Sequence, residues 1–191
     1  MALLNRERVL RAATTSFLAH GYGSSVDLIA RRAGVAKQTV YHHFPSKDEL
    51  FKEVARDLAK RVLVELEAEP RDVRATLERF GAAYRKRVLG AQGIATFRAL
   101  VPEVPRFRAL ARSMYEASGG ETVRRVAAYL DKAMAAGQLR RDDPQLAAEL
   151  LLGMLVGHDR VKRLFGVSAS GESDAQRAAR IVDCFLRAYP P

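Results

Sequence analysis

Lys37, Gln38, Thr39, Tyr41 and His42 fall within six consecutive positions, and each can donate or accept a hydrogen bond. Lys37 suits a phosphate or a guanine, and Gln38 can both donate to and accept from an adenine. Thr39 and Tyr41 can bond phosphate or touch a thymine methyl. This is chemistry for gripping nucleic acid, with no bond-breaking group among it. On a helix, positions 37, 38, 41 and 42 come together on the outer side, while Val40 and Phe44 fall on the inner side. Lys47 follows in the first turn of the next helix, where free backbone N–H groups favour a phosphate.

These side chains need a frame, and the flanking residues supply one. Val26, Ile29, Ala30 and Ala33 repeat at helical spacing and predict a helix from about 26 to 33. Ser25 is its N-cap and joins the DNA-facing set. Gly34 ends that helix, since glycine adopts the left-handed conformation without steric cost, and Val35 plugs the corner. A second helix covers about Lys37 to His43 and stops before Pro45. Ser46 and Glu49 form a capping box that opens a third. Two helices about a glycine turn make a helix-turn-helix, whose second helix enters the DNA major groove leading with its N-terminal residues.

The run GVAKQTVYHHFPSKDELF, residues 34–51, closely resembles the signature of the TetR family of transcriptional regulators. The resemblance extends upstream through FLAHGY at 17–22 and SSVDLIA at 24–30. Many members carry a serine or threonine where this chain has Ala36, so a hydroxyl that would cap the reading helix or touch a phosphate is missing. The resemblance implies a homodimer formed through the last two long helices, a double-stranded DNA operator, and a ligand cavity in the C-terminal part. The stretch FRAL at 97–100, with PRFRALA at 105–111 and Met114-Tyr115, looks like the C-terminal domain of one large subgroup.

The chain has 191 residues, 48% of them hydrophobic, enough for a normal core. Its net charge is +10, which fits a polyanionic partner or a membrane surface. The excess lies in the N-terminal half, with seven basic against four acidic residues in 1–50 and eleven against seven in 51–100. One cysteine, Cys184, excludes an intrachain disulfide and fits a cytoplasmic protein. No signal-like or membrane-spanning run is found. Neither a phosphate-binding glycine loop nor a zinc spacing occurs. His42 and His43 are adjacent and expected to diverge. No cofactor, no metal and no catalytic residue is therefore expected.

Along the chain, apolar periodicity predicts an all-α fold of about nine helices. A first helix runs from Asn5 to about Ala19 with Val9, Leu10, Ala13, Phe17 and Leu18 inward, and Arg6, Arg8 and Arg11 outward, where a DNA backbone contact and plain solvation are equally open. Tyr22 reads as a packing aromatic. The helix opened by Ser46 continues to about Glu67, and Glu69-Pro70 marks a break. Ser118 and Glu121 read as a capping box for a helix to Ala136, and Asp143-Pro144 and Ser173-Gln176 open the last two. Residues 1–50 are expected to form the DNA-binding domain, and 51–191 a helical bundle for effector and dimer.

Tyr84, Phe97, Val101, Phe107, Met114, Tyr115 and Met154 are the large, soft or aromatic residues that line cavities between bundle helices, although plain core is their commoner use. His158, the lone histidine of the C-terminal part, is added to them, though a surface histidine is the commoner case. Leu146, Leu150, Met154 and Val161 make one stripe, with Gly153 and Gly157 spaced to admit another helix. Ala178, Ile181, Val182, Phe185 and Tyr189 make a second. These stripes either close the core or pair with a second copy, and periodicity does not decide. The interface set is Leu150, Met154, Val161, Ile181 and Phe185.

The reading is a sequence-specific DNA-binding regulator, a ligand-responsive repressor with a small apolar or amphipathic effector. Its rivals are a regulator controlled by a protein partner and an all-α enzyme or carrier.

Overall fold

The computed structural model describes residues 2–63, 66, 71–167 and 171–191. The described residues form helices joined by turns, and no strand occurs among them. The helices are α1 Ala2–His20, α2 Val26–Ala33, α3 Lys37–His43, α4 Lys47–Leu63, α5 Val73–Leu89 and α6 Ala91–Leu100. They continue with α7 Arg108–Tyr115, α8 Glu121–Ala135, α9 Pro144–Leu164 and α10 Asp174–Ala188. The break expected at Glu69-Pro70 lies outside the described residues, as does the side chain of Leu18.

Packing divides the chain into two units. One is Met1–Leu58 with Ala95–Ser118, and the other is Ala59–Ile94 with Gly119–Pro191. Sequence alone placed all of 51–191 in one domain, whereas by contact residues 95–118 count with the first unit. The reason is the apolar side of α7. Leu110 and Met114 are buried in the same core as Val9 and Phe17 of α1, Ile29 of α2, Val40 of α3 and Phe51 of α4. Phe17 and Phe51 meet edge to face at 4.6 Å at its centre.

In the second unit, α5, α8, α9 and α10 enclose a core that includes Leu77, Phe80, Leu130, Leu151, Leu155, Val182 and Phe185. Gly81 of α5 permits this packing: an added Cβ would stand 2.9 Å from Leu155 and 3.2 Å from Ala178. Gly153 and Gly157, whose spacing would admit another helix, do not serve this way within the chain. A Cβ at either of those would meet nothing in the chain, because both lie on the exposed side of α9. Gly157 instead interrupts α9, at φ 12° and ψ −116°.

The interruption is braced from inside. Arg85 of α5 is buried, and its Nη1 donates to the carbonyl of Leu155. Its Nη2 donates to Asp159 at 2.9 Å, and its Nε lies 3.2 Å from Asp174 at the start of α10. A buried guanidinium is tolerated only when paired and hydrogen-bonded. Here one arginine ties three helices.

Several helix starts are those of the sequence. Asp143 and Ser173 cap α9 and α10 through their side chains as expected, and Gln176 completes the capping box at Ser173; Asp72 caps α5 in the same way. The box expected at Ser118 does not form. Residues Glu116–Gly120 make a π-helical turn that runs from α7 into α8. With no break in the helix, Ser118 Oγ donates back to the Met114 carbonyl instead of capping.

Burial pushes the Asp159 carboxyl up, but the bond and charge of Arg85, with Arg177 and Lys162, outweigh it and hold the group below its ordinary value. The stability it adds is therefore complete above the ordinary carboxylate range. It is lost as pH falls through the depressed folded value. Urea unfolding from pH 7 to pH 3 is expected to show this loss, and Asp159→Asn to remove that component. Arg85→Ala, which strands two carboxylates, is expected to cost about 3–5 kcal/mol.

Candidate nucleic-acid interface

α3 is seven residues long, too short to hold a helical shape by itself in water. It is positioned by what lies beneath and before it. Val40 is 1% exposed and Phe44 3% exposed, which pins the inner face to the first unit's core. Ahead of it, Ser25 caps α2 by accepting from the Leu28 N–H. Gly34 turns the chain at φ 64°, in the left-handed region. Its carbonyl accepts from Arg8 Nη2 at 3.4 Å. The N-cap of α3 is Ala36, with no side-chain bond to the free N–H groups.

The outer face is as expected in most respects. Lys37, Gln38, Tyr41 and His42 are exposed and Thr39 is half-buried. Lys37 is paired: its ammonium donates to Asp27 of α2 at 3.0 Å. That bond and the charge of Asp27 raise the Lys37 pKa. Ser25 is spent on capping, so its hydroxyl oxygen already has a partner. The His42 and His43 rings do not diverge; they meet edge to face at 5.2 Å, the shape in which neighbouring rings attract. Among the described residues no three metal-ligating side chains cluster.

Lys47 opens α4 beside Tyr22. Its ammonium stands 4.2 Å from the Tyr22 ring centre, a cation over an aromatic face. Partial burial lowers its pKa, against the opposing charge of Asp48. Tyr22 donates to Asp48. Burial, that bond and the Asp48 charge together push its own pKa up to about 12. The ring also packs on Phe51 at 5.1 Å and Phe107 at 5.0 Å, so Tyr22 is the packing aromatic anticipated. Ser46 Oγ accepts from the Glu49 N–H, while the Glu49 carboxylate pairs with Lys52.

Of the three arginines left open on α1, Arg6 pairs with Glu53 at 2.8 Å and lies over the Phe44 ring at 5.2 Å. Arg8 is on the Gly34 turn. Both brace the motif. Asp27 is the participant that the sequence reading missed. Its opposite charge to Lys37 was visible, but ten residues of separation gave no reason to pair them.

The other expected residues are dispersed. Phe97, Val101, Phe107, Met114 and Tyr115 belong to the first unit, and Tyr84, Met154 and His158 to the second. Met114 is buried and Phe107 half-buried in the core around α1 to α4, while Tyr115 is 63% exposed. Tyr84 stacks on Phe80 at 5.6 Å. Phe97, Val101, Met154 and His158 are exposed.

The interface stripe on α9 is open, with Leu146, Leu150, Met154 and Val161 exposed. That on α10 is not. Phe185 is 1% exposed and stacked on Tyr189 at 4.7 Å, and Ile181 packs against the same core. Helical period turns those residues toward α5 and leaves Gln176, Arg180, Cys184 and Arg187 outward. Phe185 is therefore no interface residue; it is core.

Comparison with known proteins agrees with this geometry. Residues 9–54 match the family profile described as bacterial regulatory proteins, tetR family. Residues 75–191 match the one described as AefR-like transcriptional repressor, C-terminal domain. The HTH-type transcriptional regulator YhgD of Bacillus subtilis is 40% identical over 63 residues, 32% of this chain and 33% of YhgD. A TetR-family regulator from Mesorhizobium loti superposes with a TM-score of 0.81 at 27% identity, covering 100% of this chain and 99% of that one. The flavonoid-responsive regulator FrrA gives 0.76 at 31% identity, covering 98% and 97%.

The uncapped start of α3 gives a direct test. Ala36→Ser is expected to add about 1 kcal/mol of stability by capping α3, read as a higher urea midpoint with unchanged slope.

Proposed function

The chain belongs to the TetR family of transcriptional regulators, and on that premise we propose a homodimeric, ligand-responsive repressor of a palindromic operator. The observation that carries the reading is the exposed polar face of α3, held rigid by Val40 and Phe44 beneath it. Ser25, Lys37, Gln38, Thr39, Tyr41 and His42 face the DNA, the first through its backbone region rather than its bonded hydroxyl. Lys47 leaves the Tyr22 ring for a phosphate. Repression is the sense of the AefR-like domain that residues 75–191 match. Residues 1–50 serve as the reading domain, working in the cytoplasm where promoter DNA lies. Among the described residues no helix is long and apolar enough to cross a membrane.

The second copy docks on α9. Leu146, Leu150, Met154 and Val161 form an exposed apolar row. Gly153 and Gly157 have open space above them for a close helix crossing. A self-complementary patch of this kind produces a two-fold dimer, with one reading helix from each copy. The operator is then an inverted repeat with half-sites about one or more helical turns apart.

The effector is a small, apolar or amphipathic, aromatic molecule. FrrA, similar over nearly the whole chain, is flavonoid-responsive by name. Release works through α4, which begins three residues after Phe44 and leads the chain out of the reading unit. A ligand shifts this equilibrium only by its differential affinity for the two arrangements. Near-complete release needs about 5.5 kcal/mol of that difference.

Two measurements check the reading. Lys47→Ala is expected to weaken binding to all sequences and lower the salt slope by about one charge. Gln38→Ala is expected to lose about 1–3 kcal/mol on the preferred site only; equal losses on random DNA would count against base reading. For the effector, a flavonoid series screened by thermal shift is titrated with and without operator DNA. Operator is expected to weaken the ligand by the same factor as the ligand weakens operator, and equal affinities would exclude the coupling.

A further inference from the structure

Asp27 sits in the first turn of α2, and its Oδ2 accepts from Lys37 Nζ at 3.0 Å. The two side chains are 57% and 50% exposed, so the pair adds little to folding. Its position suggests another use. Lys37 opens α3, whose leading residues meet base edges in this motif, and Asp27 brings a carboxylate to the same point from α2. A lone carboxylate there would be repelled by the DNA polyanion. Held against Lys37 it is neutralised, and the pair presents a donor beside an acceptor.

A G·C pair presents the complement in the major groove. Guanine offers the acceptors O6 and N7, and cytosine the N4 donor. O6 and N4 are hydrogen-bonded to each other, so they stand roughly 2.9 Å apart, close to the Lys37–Asp27 separation with polarity reversed. Resting on the reading of α3 as the DNA-reading helix, we propose that Asp27 and Lys37 together read one G·C pair in each half-site. Lys37 donates to guanine O6 and N7, and Asp27 accepts from cytosine N4. An A·T pair is disfavoured. Its donor N6 lies beside the acceptor N7, which repels a carboxylate, and the spare protons of Lys37 would meet the thymine methyl. The fixed direction from Lys37 to Asp27 also separates G·C from C·G. Asp27 is thus a specificity residue, and Lys37 reads a base instead of serving as a loose phosphate contact.

The experiment is selection of a random duplex library by the full-length chain and by Asp27→Ala, Lys37→Ala and Asp27→Asn, each first shown to keep its helical circular dichroism. Recovery of a consensus by the parent chain supports the DNA-reading function itself; recovery of none sinks that function and this inference with it. Given a consensus, Asp27→Ala and Lys37→Ala are expected to lose preference at the same G·C pair, by on the order of tenfold or more, with other positions unchanged. Asp27→Ala is also expected to bind random duplex more tightly and steepen its salt slope by about one charge, as Lys37 is freed for phosphate. Asp27→Asn is expected to move the preference at that position toward A·T, since asparagine pairs with adenine N6 and N7. An unchanged consensus for Asp27→Ala, or losses at different base pairs for the two alanine variants, overturns the proposal while leaving the regulator reading standing.

Discussion

The burial of Val40 and Phe44 is the constraint on which the DNA-facing surface depends. A helix as short as α3 is unstable on its own, and its N-terminus has no capping side chain. Its shape comes from two apolar side chains driven into a core built by α1, α2, α4 and α7. Burial of a valine and a phenylalanine contributes roughly 1.5–3 kcal/mol each, more than any single surface bond of the motif can offer. Gly34 and Arg8 set the turn, but neither would hold the outer face in place without that anchor.

The same core accounts for how the chemistry of the surface is tuned. Tyr22 closes its edge against Phe51 and Phe107. In doing so it offers a ring face to Lys47 and a hydroxyl to Asp48. Lys47 is thereby kept extended over an aromatic surface, partly desolvated, rather than free in water. Arg6, anchored on Glu53 and Phe44, acts as a brace beneath α3. The cations around this motif divide into those that hold it and those that face outward.

In the second unit a different balance operates. Arg85 is buried, and it bonds two half-buried carboxylates and the Leu155 carbonyl beside the bend of α9. Ion pairs of this sort are costly to desolvate and disastrous to break, so they specify an arrangement more than they stabilise it. The bend they brace lies in the helix that leaves Leu146, Leu150, Met154 and Val161 open to solvent. α10 shows the opposite pattern, spending Val182 and Phe185 inward and a polar face outward.

By itself the sequence determined the helices, most of their caps and the reading motif. Those depend on local rules: apolar side chains every three or four residues, a glycine where φ must be positive, an oxygen side chain before the first turn. The inner and outer faces of α3 follow from the same period, so its exposed residues were legible too. Tertiary structure decided which of two equally periodic stripes, on α9 and α10, would be buried, because period identifies an apolar face but not what covers it. It decided that α7 joins the first core, that Gly81 is where helices of the same chain come close, and that Arg85 is interior. It also paired Asp27 with Lys37. Their contact is made by the turn at Gly34 folding α2 against α3, and no spacing rule along the chain encodes a bond between charges ten residues apart.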